Sequence, residues 1–266
     1  MTPSGNETQT STRPPIQMSG TTATIDASGV YYRAMNEQVR AAIAQGATKV
    51  VLRNVCGQRY IGTGLRTDVA IEVFGTPGND LAMFADGPRI TVHGNTQDGV
   101  GNTMTNGQIV VFGSAGDLLA HSLRGGRIFI RDGAGYRVAI HMKQYHEPVP
   151  AVVIGGCVGD YAAEYMAGGV LVVLGLGREA GQGLAGNYLG TGMHGGAIYL
   201  RGDVRDDQMG KEISRVEMDD ADRARLSDLV GQYASHFAMD AKDILSAPFV
   251  KLAATSSRPY GRLYVY

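Results

Sequence analysis

The sequence predicts a mainly β protein, a right-handed single-stranded β-helix of about eight coils with flanking helices at both ends. Two observations carry this. A strand-and-glycine pattern recurs through the middle of the chain, as in RITVHGNTQDGVGNTMTNG and QIVVFGSAGDLLAHSLRGG. Equivalent apolar positions, taken as Leu52, Ile71, Ile90, Ile109, Ile128, Val152, Leu171 and Ile198, are spaced by 19, 19, 19, 19, 24, 19 and 27 residues. A fixed period of this length signals a solenoid. The two long intervals equal one repeat plus five and one repeat plus eight residues, as expected for loops inserted at coil corners.

Each repeat has the local pattern of a short strand. Ile90, Val92 and Gly94 alternate with period two and stop at a turn residue, as do Ile109, Val111 and Gly113, and Leu171, Val173 and Gly175. A glycine at each corner permits positive φ and a sharp turn. Coils stacked about 4.8 Å apart make a rod roughly 35–40 Å long. One coil alone cannot offset an ordering cost of about 1–2 kcal/mol per residue, so stability depends on neighbouring coils.

In chain order, residues 1–20 are rich in Ser, Thr, Gly and Pro and read as a disordered arm. Residues 21–48 form a flanking segment. Within it Tyr32, Met35, Val39, Ala42 and Ile43 share a helical face, Ser28 or Asp26 is placed to cap it, and Gly46 ends it. The β-helix occupies 49–204, and 205–266 form a carboxy-terminal helical cap and tail. There Asp219, Asp220 and Asp222 favour a helix N-terminus, and Leu226, Leu229, Val230, Tyr233 and Phe237 supply its apolar face. Both helices are expected to cover the open ends of the solenoid, where unpaired strand edges invite aggregation.

Composition narrows the function classes. A net charge of −1 over 266 residues gives no electrostatic footprint for nucleic acid or anionic lipid. The most apolar charge-free stretch, Met166–Gly177, is too short and glycine-rich to span a bilayer. Two cysteines and no opening secretion signal point to a reducing, cytoplasmic setting.

No self-sufficient active site is legible. LVVLGLGREAGQGLAG lies in phase with the other strands, without the helix that a dinucleotide loop must open. His141, His146 and Glu147 fall in the five-residue insertion and do not make a zinc set. His93, His121 and His194 read as surface residues near turns. Cys56 and Cys157 lack a setting that activates a thiolate, and two cysteines are too few for a four-thiolate cluster. Catalytic, cofactor and metal residues are therefore all expected to be absent. Partner contacts are expected where the repeat is broken. The candidates are Lys143, Tyr145, His146 and Glu147 in one insertion, Arg178 and Glu179 in the other, and the carboxy-terminal tail.

The segments RNVCGQRYIGTGL, HGNTQDGVGNTMTNGQIVVFGSAGD, LRGGRIFIRDGAGYRVAIHMK, EYMAGGVLVVLG and GTGMHGGAIYLRG resemble the GXGXG domain. That domain is the carboxy-terminal part of the glutamate synthase large subunit, and it also occurs as a free-standing "domain 3" protein in some prokaryotes. The resemblance runs from about Ile25 to the tail SSRPYGRLYVY. It implies a β-helix without catalytic groups, serving as a scaffold subunit beside a glutamine amidotransferase subunit and an FMN-binding synthase subunit. FMN is expected in that partner and no cofactor in this chain. Two other readings stay open. One is a C subunit of a formylmethanofuran dehydrogenase or formyltransferase/hydrolase-type complex, or a subunit of N-methylglutamate synthase, whose β-helices are related. The other is a stand-alone structural or ligand-binding rod.

Overall fold

The computed structural model describes residues 12–145, 147, 149–179 and 181–257. Twelve strands form one continuous sheet, and in chain order the elements are β1 Ile16–Ser19, β2 Thr22–Asp26, α1 Tyr32–Ala44, β3 Lys49–Cys56, β4 Ala70–Thr76, β5 Asp86–His93 and β6 Asn106–Val111. There follow β7 Arg127–Ile130, β8 Ala151–Ile154, β9 Ala167–Val173, β10 Gly195–Arg201, β11 Ile213–Val216, α2 Asp220–Phe237, α3 Ala241–Leu245 and β12 Phe249–Ala254. Strands β2 to β10 stack in parallel in sequence order, which is the ladder of a β-solenoid. The six turns from β3 to β9 are closed by connections of 9 to 20 residues. The two end turns differ: α1 completes one, and the long excursion between β9 and β10 completes the other. That difference separates the expected count of about eight coils from the six regular ones.

Two apolar columns face the interior. One runs Ala23, Val50, Ile71, Ile90, Ile109, Ile128, Val152, Leu171, Ile198; the next runs Ile25, Leu52, Val73, Val92, Val111, Ile130, Ile154, Val173, Leu200. All of these are buried. Leu52 therefore belongs to the second column, opposite Val73, and Val50 is the residue in line with Ile71. The 19-residue count misplaced it because this first turn is two residues longer than the repeat, Val50 and Ile71 being 21 apart, and the register shift between Leu52 and Val55 takes up one of the two.

The ends are closed by strands as well as by α1. β1 pairs antiparallel with β2, and β12 pairs antiparallel with both β10 and β11. Ile16–Ser19 is thus a strand where composition predicted part of an arm; residues 1–11 lie outside the described residues. α1 buries Ala34, Met35, Val39 and Ala42 in the main core, with Ile43 packed against it. Its N-cap is Tyr31, without a side-chain cap bond. Asp26 instead accepts from the Ser28 amide and hydroxyl and from Asn54.

α2 does not cover an end. Its Leu226, Leu229, Val230, Tyr233, Ala234 and Phe237 lie on the outer sheet face, against Val110, Phe129, Val153, Val172 and Tyr199. Those five residues come one from each of β6 to β10, or from directly beside them in register. An 18-residue helix is about 27 Å long, which matches five or six strands at about 4.8 Å. The runs RIFI, AVVI and GGVLVV are apolar on both faces for this reason. The same outward column is Thr24, Val51, Glu72 and Thr91 in β2 to β5, beyond the reach of the helix.

One carboxylate ties α2 to the sheet. Asp219 and Asp222 form a reciprocal capping box at its start. Asp222, buried, also accepts from Tyr199 Oη of β10 at 2.6 Å and Lys251 Nζ of β12 at 2.6 Å. Burial alone would raise its pKa, but the bonds from Lys251, Tyr199 and the Asp219 amide outweigh burial and hold it at about 2. A depressed folded pKa stabilises above the ordinary carboxylate value and is lost as pH falls through the folded one. Protonating Asp222 should therefore cost roughly 2–3 kcal/mol as pH falls from about 4 through 2. Acid titration of unfolding should show this loss in the wild type and not in Asp222→Asn; parallel curves would refute it.

Candidate interaction surfaces

The corner opposite the sheet is built from an unusual backbone. In each of seven successive turns, three alternate residues have positive φ, for example Asp80/Ala82/Phe84, Gly99/Gly101/Thr103, Leu118/Ala120/Ser122 and Arg137/Ala139/His141. Most of these are not glycine, and each such residue costs on the order of 1–3 kcal/mol. Bonds between coils hold them there. The middle residue donates back to the preceding coil, as Ala120 N to Val100 O and Ala139 N to Leu119 O, both 2.8 Å. The first and third donate forward, as Leu118 N to Tyr136 O at 2.9 Å and Ser122 N to Ile140 O at 2.9 Å.

The middle residue points inward and is always Gly or Ala: Gly62, Ala82, Gly101, Ala120, Ala139, Ala163, Gly190. At Gly101 (φ 69°) a Cβ would lie 2.5 Å from the flexible Ile128 Cδ1, so the inner column crowds this position from the next coils. A buried apolar residue precedes it each time, from Ile61–Gly62 to Leu189–Gly190. That recurring pair was the overlooked sequence signal for this corner.

First and third positions point outward, one per coil, so like side chains stack along the rod. Tyr161 and Tyr188 stack at 4.8 Å, Arg137 lies over Tyr161 at 5.0 Å, and His141 stacks on Tyr165 at 5.3 Å. Burial and the neighbouring His141 lower the pKa of His121. Phe84, Leu118, Tyr136 and Tyr188 are exposed on this corner. Beside them runs a carboxylate ladder in which Asp98 accepts from the Asp117 amide, Asp117 from Tyr136 and Asp160 from Asn187.

The structure places the residues expected at partner contacts on two separate sites. Lys143, Tyr145 and Glu147 are exposed at the entry to the strands, where Gln144 abuts Gly168; His146 lies outside the described residues, as does the 258–266 tail. Arg178 and Glu179 are exposed beyond the far end of β9. Seven residues of β9 separate the two sites, about 20 Å. Each borders a cavity. Arg178, Cys157, Asp132 and Ser114 line one of about 680 Å³, floored by Gly133 and Gly156. Gln144, Tyr145, Arg225 and Lys251 are among the residues lining another of about 560 Å³. Burial raises the pKa of the Cys157 thiol, against a smaller opposite effect of Arg178. Among the described residues no group of three His, Cys, Asp or Glu could hold a metal ion, and no helix follows β9 directly.

A model of the GXGXG motif family matches residues 32–254. An uncharacterized protein of Methanocaldococcus jannaschii is 43% identical over 249 residues, which are 90% of this chain and 95% of that protein. The ferredoxin-dependent glutamate synthase of Pyropia yezoensis is 29% identical over 201 residues, 69% of this chain and 12% of that enzyme. The NADH glutamate synthase of Schizosaccharomyces pombe is 29% identical over 224 residues, 77% of this chain and 10% of the enzyme. This chain spans nearly all of the archaeal relative but only about a tenth of these glutamate synthases. With its solenoid core inside the matched span, the chain belongs to the GXGXG motif family.

Proposed function

We propose that this chain is a noncatalytic scaffold subunit of a split glutamate synthase-like complex in nitrogen metabolism. Its partners are a glutamine amidotransferase subunit and an FMN-dependent synthase subunit, and the flavin resides in the latter. The observation that carries the reading is the coverage. The same unit is about a tenth of the glutamate synthases, yet it makes up 95% of the M. jannaschii relative. A rigid rod holding two active sites in register serves such chemistry. Shielded transfer keeps ammonia at high effective concentration and out of bulk water, where it would be protonated. The cytoplasm is the proposed compartment; among the described residues no helix is long and apolar enough to cross a membrane.

Purifying the tagged full chain from its own host at native expression tests this reading. A glutaminase-type and an FMN-binding subunit should come with it. Formyl-transfer subunits, or the chain alone and intact, would overturn it.

Lys143, Tyr145, His146, Glu147, Arg178 and Glu179 are the proposed partner contacts. Deleting Lys143 to Glu147 should weaken assembly at least tenfold while the circular dichroism spectrum and melting midpoint stay near wild type, because the deletion leaves β7, β8 and their pairing intact. Unchanged assembly would remove that loop from the interface.

A further inference from the structure

The 560 Å³ cavity lies between Gln144, Tyr145 and Val149, the starts of β9 and β10, and the first turns of α2. Its floor is backbone and small side chains: Ala167, Gly168, Gly169, Gly196, Ala197. Three charged residues line it, Asp222, Arg225 and Lys251. The first and last cancel. Lys251 sits on Asp222 Oδ2 at 2.6 Å, and both Asp222 oxygens hold hydrogen bonds. Arg225 faces the same carboxylate at longer range and also contacts Tyr199, so the three residues together leave one net positive charge. Its guanidinium stands 3.9 Å from Asp222, outside hydrogen-bond range, with its side chain 44% exposed. A planar guanidinium on the wall of a half-enclosed cavity of ligand-binding size matches a carboxylate. The Gln144 amide at the rim donates to Glu147 Oε1 at 3.3 Å.

We propose that this cavity binds a carboxylate, with Arg225 as its anchor. The carboxylate comes either from a small free acid or from an acidic side chain of a partner subunit. The cavity is a site of this chain itself and does not rest on the scaffold reading.

Calorimetric titration of the purified full chain with succinate and with L-glutamate, against sodium chloride of equal ionic strength, tests the free source. One site per chain is expected. Arg225→Gln should weaken binding at least tenfold, Arg225→Lys less, and Arg66→Gln, exposed between β3 and β4, not at all. Arg225 is exposed, so an unchanged melting midpoint should confirm that the variants fold; Lys251 is avoided because its loss strands Asp222. If neither acid binds but Arg225→Gln lowers the affinity of co-purifying subunits at least tenfold, the carboxylate is a partner's. If neither binding nor assembly responds to Arg225→Gln, the proposal fails. Should no subunit co-purify, the absence of acid binding alone overturns it, whereas binding sustains it even as the scaffold reading fails.

Discussion

Ile109→Asp is expected to abolish the folded state. Ile109 has no exposed surface and pairs in register with Ile90 and Ile128 in the middle of the inner column. An aspartate there is surrounded by Val, Ile and Leu side chains of three coils, with no cation or donor in the column. Burying an unpaired carboxylate costs at least about 5 kcal/mol, counting the lost apolar packing. That is comparable with the whole stability of a typical domain, roughly 5–15 kcal/mol. Because each coil is held by its neighbours, a failure here splits the stack into halves that cannot bury their ends. Thr91→Asp, one residue beyond Ile90 but on the outer face, should change stability by less than about 1 kcal/mol. Soluble expression and thermal unfolding of both variants decide the matter. A folded Ile109→Asp protein would mean that the inner face is misassigned.

Gly155→Ala should be the most damaging single methyl group. Gly155 follows β8, and a Cβ there would overlap both the Arg131 carbonyl oxygen of the preceding coil and the Tyr233 hydroxyl of α2. Tyr233 donates to that same carbonyl at 2.9 Å. Burial and the neighbouring Asp132 raise the Tyr233 pKa. The methyl group must therefore separate two coils or lift α2, and either movement breaks a buried hydrogen bond. The expected loss is about 3–5 kcal/mol, since overpacking and an unmet buried polar group add. Ala in place of Gly101 is the contrast, because Ala already occupies that column at Ala82, Ala120 and Ala139 and its nearest neighbour is a movable Ile128 methyl. Chemical denaturation of the two variants should separate them by several kcal/mol; equal losses would show that the Arg131–Tyr233 contact is not a rigid constraint.

Residue patterns along the chain determined a good deal unaided. The 19-residue interval, the inner residues from Ile71 to Ile198 and the apolar faces of α1 and α2 were legible because each is a local periodicity. The motif wording between the strands likewise led to the family. Three things were decided only by tertiary structure. The position of α2 depends on an apolar outer column collected from Val110, Phe129, Val153, Val172 and Tyr199, residues far apart in sequence that register alone aligns. The sign of φ at residues such as Tyr161 and Leu118 opposes their intrinsic preference and is set by hydrogen bonds to the next coil. The net positive charge around Asp222 exists only because Lys251, on a strand that returns to β10, meets the same carboxylate as Arg225 of α2. Local periodicity is written in neighbouring residues; these three features are sums over residues that meet only when the coils stack.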